Sequence, residues 1–340
     1  MISNVSGNGR RVGITGIGVQ VPERVLTNAD LEQMVETSDQ WIVERTGIRE
    51  RRIARDDEAA SDLAIPAAKQ ALEQAGVAPE ELDLVVIATS TPDMLFPSTG
   101  AIVADAIGAK NAAGYDTLAA CSGFLYSVSQ AYGQIAGGVA EKALVVGSET
   151  LSKIVNWSDR GTCILFGDGA GAAVLQPVEQ GGFLGFELGV DAKHGPDLCL
   201  PAGGSREPPS VQTVAQGRHW VEMNGREVFR VATRLMVSSA EQLLAEVGAT
   251  IDDVDLYVAH QANQRIIDHA AKNLGLPPEK VFLNIERYGN TSAASIPIGL
   301  AEAVESGRLE PGMRVLMSAV GGGITWGSAF MEWSPNGKAA

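Results

Sequence analysis

The chain has 340 residues, a formal net charge of −15 at pH 7, 45% hydrophobic residues and 39 glycines. That length points to two domains or one duplicated domain. The acidic balance argues against a nucleic-acid partner, though not against a local basic patch for an anionic ligand. Three cysteines (Cys121, Cys163 and Cys199) are too few and too scattered for a disulfide framework or a zinc ribbon, and suit a reducing compartment. The polar stretch Met1 to Arg11 lacks the apolar core of a signal peptide, and no run reaches membrane-spanning length, so the expected location is cytoplasmic.

The first predicted element is a strand over Arg11–Val19. Its glycines resemble a dinucleotide loop only loosely: the spacing is not G-x-G-x-x-G, and Val21-Pro22 stands where a helix should begin. Thr27-Asn28 can cap one helix and Thr37-Ser38-Asp39 a second. The second carries Trp41 and Arg45 on one face, either a surface helix with a half-buried tryptophan or a flat aromatic platform beside a cation. From Ala59 a helix runs to Ala75, closes at Gly76, and leads into the apolar run Leu84–Ala88, with further strands near Ala113–Leu118 and Ala143–Gly147. Short continuous apolar runs are the mark of a sheet covered on both faces.

The pattern then returns. Leu244, Gly248, Asp255, Leu256 and Val258 repeat Leu72, Gly76, Asp83, Leu84 and Val86 at an offset of 172 residues, and Val315–Ser318 echoes Leu144–Gly147. An offset of half the chain predicts two related halves whose shared interface is the natural place for a site.

Four places carry candidate chemistry. Cys121 precedes a long, nearly uncharged segment, which predicts a cysteine at the start of a buried helix. There the helix dipole would favour the thiolate, but a small core residue is the alternative, and the neighbourhood alone leaves both open. His260 ends the strand Leu256–Ala259, where α/β sheets place ligands, whereas His269 falls inside the next helix. Asn290 opens a run of small residues and is either a functional amide or a helix cap. Gly321-Gly322-Gly323 lies between two strands, a bare hairpin turn or a close backbone approach to a ligand.

Taken together, Ala120-Cys121-Ser122-Gly123, His260-Gln261-Ala262-Asn263-Gln264-Arg265, Tyr288-Gly289-Asn290-Thr291-Ser292 and Gly321-Gly322-Gly323-Ile324-Thr325-Trp326-Gly327 resemble the motifs of β-ketoacyl-acyl-carrier-protein synthase III. Ser38 to Ile48 and Phe166 to Gly171 extend the resemblance over essentially the whole chain. It implies an α/β thiolase-like fold of two duplicated βαβαβαββ halves in a layered α-β-α-β-α architecture. Residues 1–10 would be a disordered N-terminus, 11–177 the half bearing the cysteine, 178–335 the half bearing histidine and asparagine, and 336–340 a tail.

The implied reaction is a decarboxylating condensation of an acyl-CoA, acetyl-CoA being expected, with malonyl-acyl-carrier protein. Cys121, His260 and Asn290 would be its catalytic set, without metal or cofactor, and the N–H groups of Cys121 and Gly322 its oxyanion hole. Elongating relatives pair the cysteine with two histidines, and thiolases use a second, later cysteine, absent after Cys199. The resemblance also places Trp41, Arg45, Arg160, Gly225, Phe229 and Asn263 on CoA. It sets Gln261, Ala262, Asn263, Gln264, Arg265, Arg230 and Lys272 against the carrier protein, and Phe96 where a homodimer partner closes the acyl pocket. A related enzyme of secondary metabolism and an inactive binding protein of the same fold are the alternatives.

Overall fold

The computed structural model describes residues 10–335; of the expected disordered N-terminus only Arg10 falls within them, and the expected tail lies outside. Nine strands build two sheets. The first takes β1 (Val12–Gln20), β2 (Leu84–Ala88), β3 (Ala113–Thr117), β4 (Ala143–Glu149) and β5 (Gly169–Pro177) in the order β1-β5-β4-β2-β3. The second takes β6 (Gly182–Val190), β7 (Leu256–Ala259), β8 (Arg314–Gly321) and β9 (Thr325–Glu332) in the order β6-β9-β8-β7. Counted from the β1 edge of one and the β6 edge of the other, the first two pairings are antiparallel and the next is parallel. β2 and β7 therefore hold equivalent places, as the 172-residue offset predicts.

Alternation along these strands makes the layers. Leu84 and Val86 of β2 enter a central core with Leu256 and Val258 of β7, while Val85 and Ile87 face one outer cluster and Tyr257 and Ala259 another. The central core is filled by α4 (Gly123–Ala136) and α7 (Ser295–Glu305). The outer faces are covered by α2 (Ala60–Ala75) with α3 (Thr99–Ile107), and by α5 (Gly225–Glu246) with α6 (Gln264–Leu274). Five layers result, helix-sheet-helix-sheet-helix. The two halves meet in one continuous core.

The glycines of β1 are explained by packing. A Cβ at Gly18 would meet Ala67 O at 2.0 Å and one at Gly16 would meet Ala71 O at 2.2 Å, so both let α2 ride directly on the strand. A fourth cluster gathers α1 (Asp39–Thr46), capped by Ser38, with Leu151, Val155, Cys163 and Phe166. Buried Arg51 ties it together, donating to Leu26 O, Asn28 Oδ1 and Ile164 O at 2.8–3.2 Å. Burial lowers that guanidinium to about 10, so it stays charged at neutral pH.

Candidate active site

Cys121 sits in a single turn, Ala120–Ser122, that feeds into α4. The turn is held under strain: Ala120 adopts φ +45°, a left-handed conformation that costs a non-glycine residue on the order of 1 kcal/mol. The β8–β9 hairpin presses on it from the opposite half. Thr325 Oγ1 donates to Ala119 O at 2.8 Å and lies 2.7 Å from Ser122 Oγ. Gly321 comes so close that a Cβ there would stand 2.6 Å from the Cys121 nitrogen and 3.0 Å from Ala119 O. The glycine run is thus both a hairpin turn and a close approach to the cysteine backbone. Gly321→Ala should keep the fold and lower Cys121 acylation by roughly 10²-fold, because displacing a nucleophile by about 1 Å has that cost. Wild-type acylation kinetics in that variant, measured by rapid-quench mass spectrometry, would contradict this.

Helix-start stabilisation of the thiolate, expected from the sequence, does not prevail. Burial pushes the Cys121 thiol up to about 12, against the opposing pull of a hydrogen bond from Ser292. Burial favours the thiol form of the resting side chain. His260 is likewise uncharged: burial takes it from its ordinary 6.5 down to about 3. Burial thus works against the charged form of both groups.

His260 and Asn290 are both fixed by the residues after the asparagine. His260 Nδ1 lies 2.7 Å from Ser295 Oγ at the first residue of α7, and that oxygen also accepts the long Gln261 N–H contact at 3.4 Å. Where the serine hydroxyl donates to Nδ1, the imidazole proton resides on Nε2. Nε2 finds no hydrogen-bond partner among the described residues. Asn290 does not cap a helix. Its Oδ1 accepts the Ser292 N–H at 2.8 Å, which turns its NH₂ the other way. Its backbone is pinned between Leu165 O and Gly167 N–H. Glu302 of α7 clamps the preceding loop through Asn284, Arg287 and Tyr288. Asn290 is left with its NH₂ uncommitted and His260 with its Nε2.

A cavity of about 610 Å³ opens beside Cys121, and Ser292, Gly322 and Leu198 of the second half share its wall. Most of its lining is apolar, with Leu151, Ile154, Phe166 and Val221 continuing into the cluster that supports Trp41. The second half's turn Ser292–Ala294 packs on the cysteine turn, and Ser292 is itself strained at φ +49°. Among the described residues, no group of three or more His, Cys, Asp or Glu is placed to hold a metal ion, and no helix is long and apolar enough to cross a membrane.

The other expected contacts are distributed unevenly. Arg45 and Arg160 both lie over the Trp41 ring, at 4.7 and 4.6 Å from its centroid. Asn263 caps α6 and donates to Arg45 O, and Gln264 lies against Gly47 at the end of α1. Arg265 stands 5.5 Å over Phe229, Gly225 opens α5, and half-buried Ala262 packs on the outer core. Lys272 is exposed, whereas Arg230 is paired with Glu227 at 2.7 Å. Gln261 must be removed from any docking surface. It is 1% exposed, its amide nitrogen bonded to Ala259 O and Phe282 O and its oxygen to Asn284 N–H. Phe96 is 83% exposed and lies outside this cavity's wall, while its neighbours Met94 and Leu95 are part of it. Motif-based reading passed over Ser295, Leu198 and Glu149.

Two matched sheet halves lending opposite walls to one thiol-bearing cavity define a condensing enzyme of thiolase-like fold. Residues 115–192 match the family model for 3-oxoacyl-[acyl-carrier-protein] synthase III, and residues 244–333 the model for its C-terminal part. The chain is 57% identical over 327 residues to β-ketoacyl-[acyl-carrier-protein] synthase III of Desulfitobacterium hafniense, covering 96% of this chain and 99% of that protein. With the Symbiobacterium thermophilum protein of the same name it shares 56% over 325 residues, 95% and 98% of the two chains. The crystal structure of the Aquifex aeolicus synthase III matches with a TM-score of 0.88 at 44% identity, covering 95% and 100%. The chain belongs to the β-ketoacyl-acyl-carrier-protein synthase III family, the acyltransferases whose condensation initiates fatty-acid synthesis.

Proposed function

We propose that this enzyme condenses acetyl-CoA with malonyl-acyl-carrier protein through an acyl-Cys121 intermediate. The observation that carries the reading is the cavity shared by Cys121, Ser292 and Gly322 at the junction of the two halves. The sulfur attacks the thioester carbon, the tetrahedral oxyanion meets the N–H groups of Cys121 and Gly322, and CoA leaves. Malonyl-carrier protein then loses CO₂. Its enolate oxygen takes the free N–H donors of His260 and Asn290, and the carbanion attacks the acyl-cysteine to release the β-ketoacyl product. These steps need neither metal nor cofactor. This role requires the Nε2–H tautomer, with the Ser295 hydroxyl donating to Nδ1.

CoA is read onto Trp41 and Arg160 for the adenine and Arg45 for the phosphates, with Gly225, Phe229 and Asn263 along the pantetheine arm. Both guanidiniums already stack on the indole, so an adenine entering between Trp41 and Arg160 exchanges one cation–π contact for another stack. For the carrier protein, Arg265 and Lys272 on α6, with Arg230 on α5, supply cations on an otherwise acidic chain. The exposed apolar side chains Leu95, Phe96 and Leu118, two of which rim the cavity, suit a homodimer partner. A cytoplasmic location completes the reading.

The priming β-ketosynthase of a polyketide pathway shares the fold, with a TM-score of 0.90 at 35% identity and 96% and 98% coverage, so a different primer is the second reading. A panel of acyl-CoA primers with malonyl-carrier protein decides between them. Acetyl-CoA should give the largest kcat/KM and a four-carbon β-ketoacyl product. A longer or branched primer preferred by about tenfold or more, some 1.4 kcal/mol of transition-state binding, would overturn the acetyl assignment.

A further inference from the structure

β4 ends in a carboxylate that the mechanism above does not use. Glu149 is 0% exposed, in a strand whose other residues are all buried. Oε2 accepts from Thr91 Oγ1 at 2.8 Å, Ser90 N–H at 3.0 Å and, more loosely, Thr89 Oγ1 at 3.4 Å. Oε1 closes no hydrogen bond with any described residue, although it too is buried. A buried carboxylate oxygen without a partner is costly, which marks the site as built for something other than stability.

The backbone shows where that carboxyl points. Gly147 and Glu149 project to the same face of β4. A Cβ at Gly147 would strike Ala293 O at 2.2 Å, so this face packs directly on the turn Ser292–Ala294. The same turn lies against Cys121, and Ser292 shares the cavity wall with it. The turn that carries Ser292 thus stands between the thiol on one side and the carboxyl on the other.

We propose that Glu149 takes up the Cys121 proton during acylation, relayed through the Ser292 hydroxyl. The Cys121 S–H bond breaks as its proton passes to Ser292 Oγ, and the serine's own proton passes to Glu149 Oε1. The freed sulfur pair forms the bond to the thioester carbon. When the tetrahedral adduct collapses, the C–S bond to CoA breaks, and the proton returns by the same hydroxyl to the departing CoA sulfur. Thiol and thioester become thioester and thiol, with no proton gained or lost. The need for such an acceptor is set by the thiol itself, which burial pushes up to about 12, well above neutral pH. Burial raises Glu149 to about 7, opposed chiefly by the hydrogen bond from Thr91, so it is a far better match to a working acceptor than an ordinary carboxylate. Around it, Thr89–Thr91 and Ser292–Ala294 bring hydroxyl and N–H groups, and Cys121 is the titratable group across the turn.

This inference rests on Cys121 being the acylated residue, and the test separates the two. Alkylation of Cys121 by iodoacetamide, followed by peptide mass against pH, reads thiolate formation without any acyl substrate. In the wild type the rate should rise through a step near pH 7 and level off above it. In Glu149→Gln the step should vanish, and alkylation and acetyl transfer at about pH 8 should both fall by roughly 10²-fold, the scale of a lost general base. Glu149→Asp should recover part of the rate and keep a step. Ser292→Ala leaves the Oε2 bonds in place and should reproduce the Glu149→Gln profile, so it decides the matter if Glu149→Gln does not fold. A wild-type step retained in either variant overturns the relay. Acetylation mapped to a residue other than Cys121 instead overturns the proposed nucleophile, whatever the alkylation profile.

Discussion

Cys121→Ala should take up no acyl group from acetyl-CoA, and its condensation rate should fall by on the order of 10⁴-fold or more, since nothing else can carry the acyl group between half-reactions. The substitution removes one sulfur from a turn whose backbone is held by Thr325 and Gly321, so the fold and the melting temperature should barely change. The measurement is intact-protein mass after incubation with acetyl-CoA, with the adduct located by peptide mapping. Mapping matters because Cys199 lines the same cavity and is the more exposed of the two thiols. Burial raises Cys199 as well, so it gains no thiolate advantage from its setting. Cys163 lies buried in the cluster behind the wall, where burial takes it up to about 11. A full acyl adduct on Cys199 in Cys121→Ala would place the chemistry one strand away and defeat the assignment.

Much of this architecture can be read from residue order because buried strands and the ends of buried strands are conspicuous. Leu84–Ala88 and Leu256–Ala259 are apolar throughout since both faces are covered, and that uniformity is what makes the half-chain repeat visible. His260 stands out as a polar residue where such a strand stops. The same argument applied to Ala143–Glu149 would have picked out Glu149, another charged group ending a buried run. Orientation is what the order of residues conceals. Gln261 neighbours His260 in the motif but points inward, because the chain leaves β7 along backbone groups of Phe282 and Asn284 that need partners. Gly16 and Gly18 fail the dinucleotide-loop spacing in the sequence, but only the helix packed on them shows why glycine stands there. The Cys121 thiol follows its burial rather than its helix, because removal from water outweighs a dipole contribution of about 0.3–1 kcal/mol.

Asn290→Ala and His260→Ala should each be acetylated at close to the wild-type rate and then stall, with condensation reduced by 10²- to 10³-fold, about 3–4 kcal/mol for each donor withdrawn from the enolate. The expectation rests on what the two side chains have left to give. Asn290 commits its oxygen to Ser292 N–H and keeps its NH₂, while His260 engages Ser295 through Nδ1 and keeps Nε2 free, a donor when the serine hydroxyl donates to Nδ1. Both act as neutral donors, so condensation should show no inflection from His260 above pH 4; its titration lies near 3. Stability carries the signature instead. The unfolded imidazole binds its proton near 6.5 and the native one near 3, so between those values the unfolded state holds more protons and stability falls as the pH drops. His260→Gln, which keeps an N–H donor and abolishes this titration, should flatten that decline and retain part of the condensation. Single-turnover assays that start from pre-acetylated enzyme isolate the second half-reaction. If Asn290→Ala condensed at the wild-type rate there, or lost acetylation and condensation equally, the amide would not be stabilising the enolate.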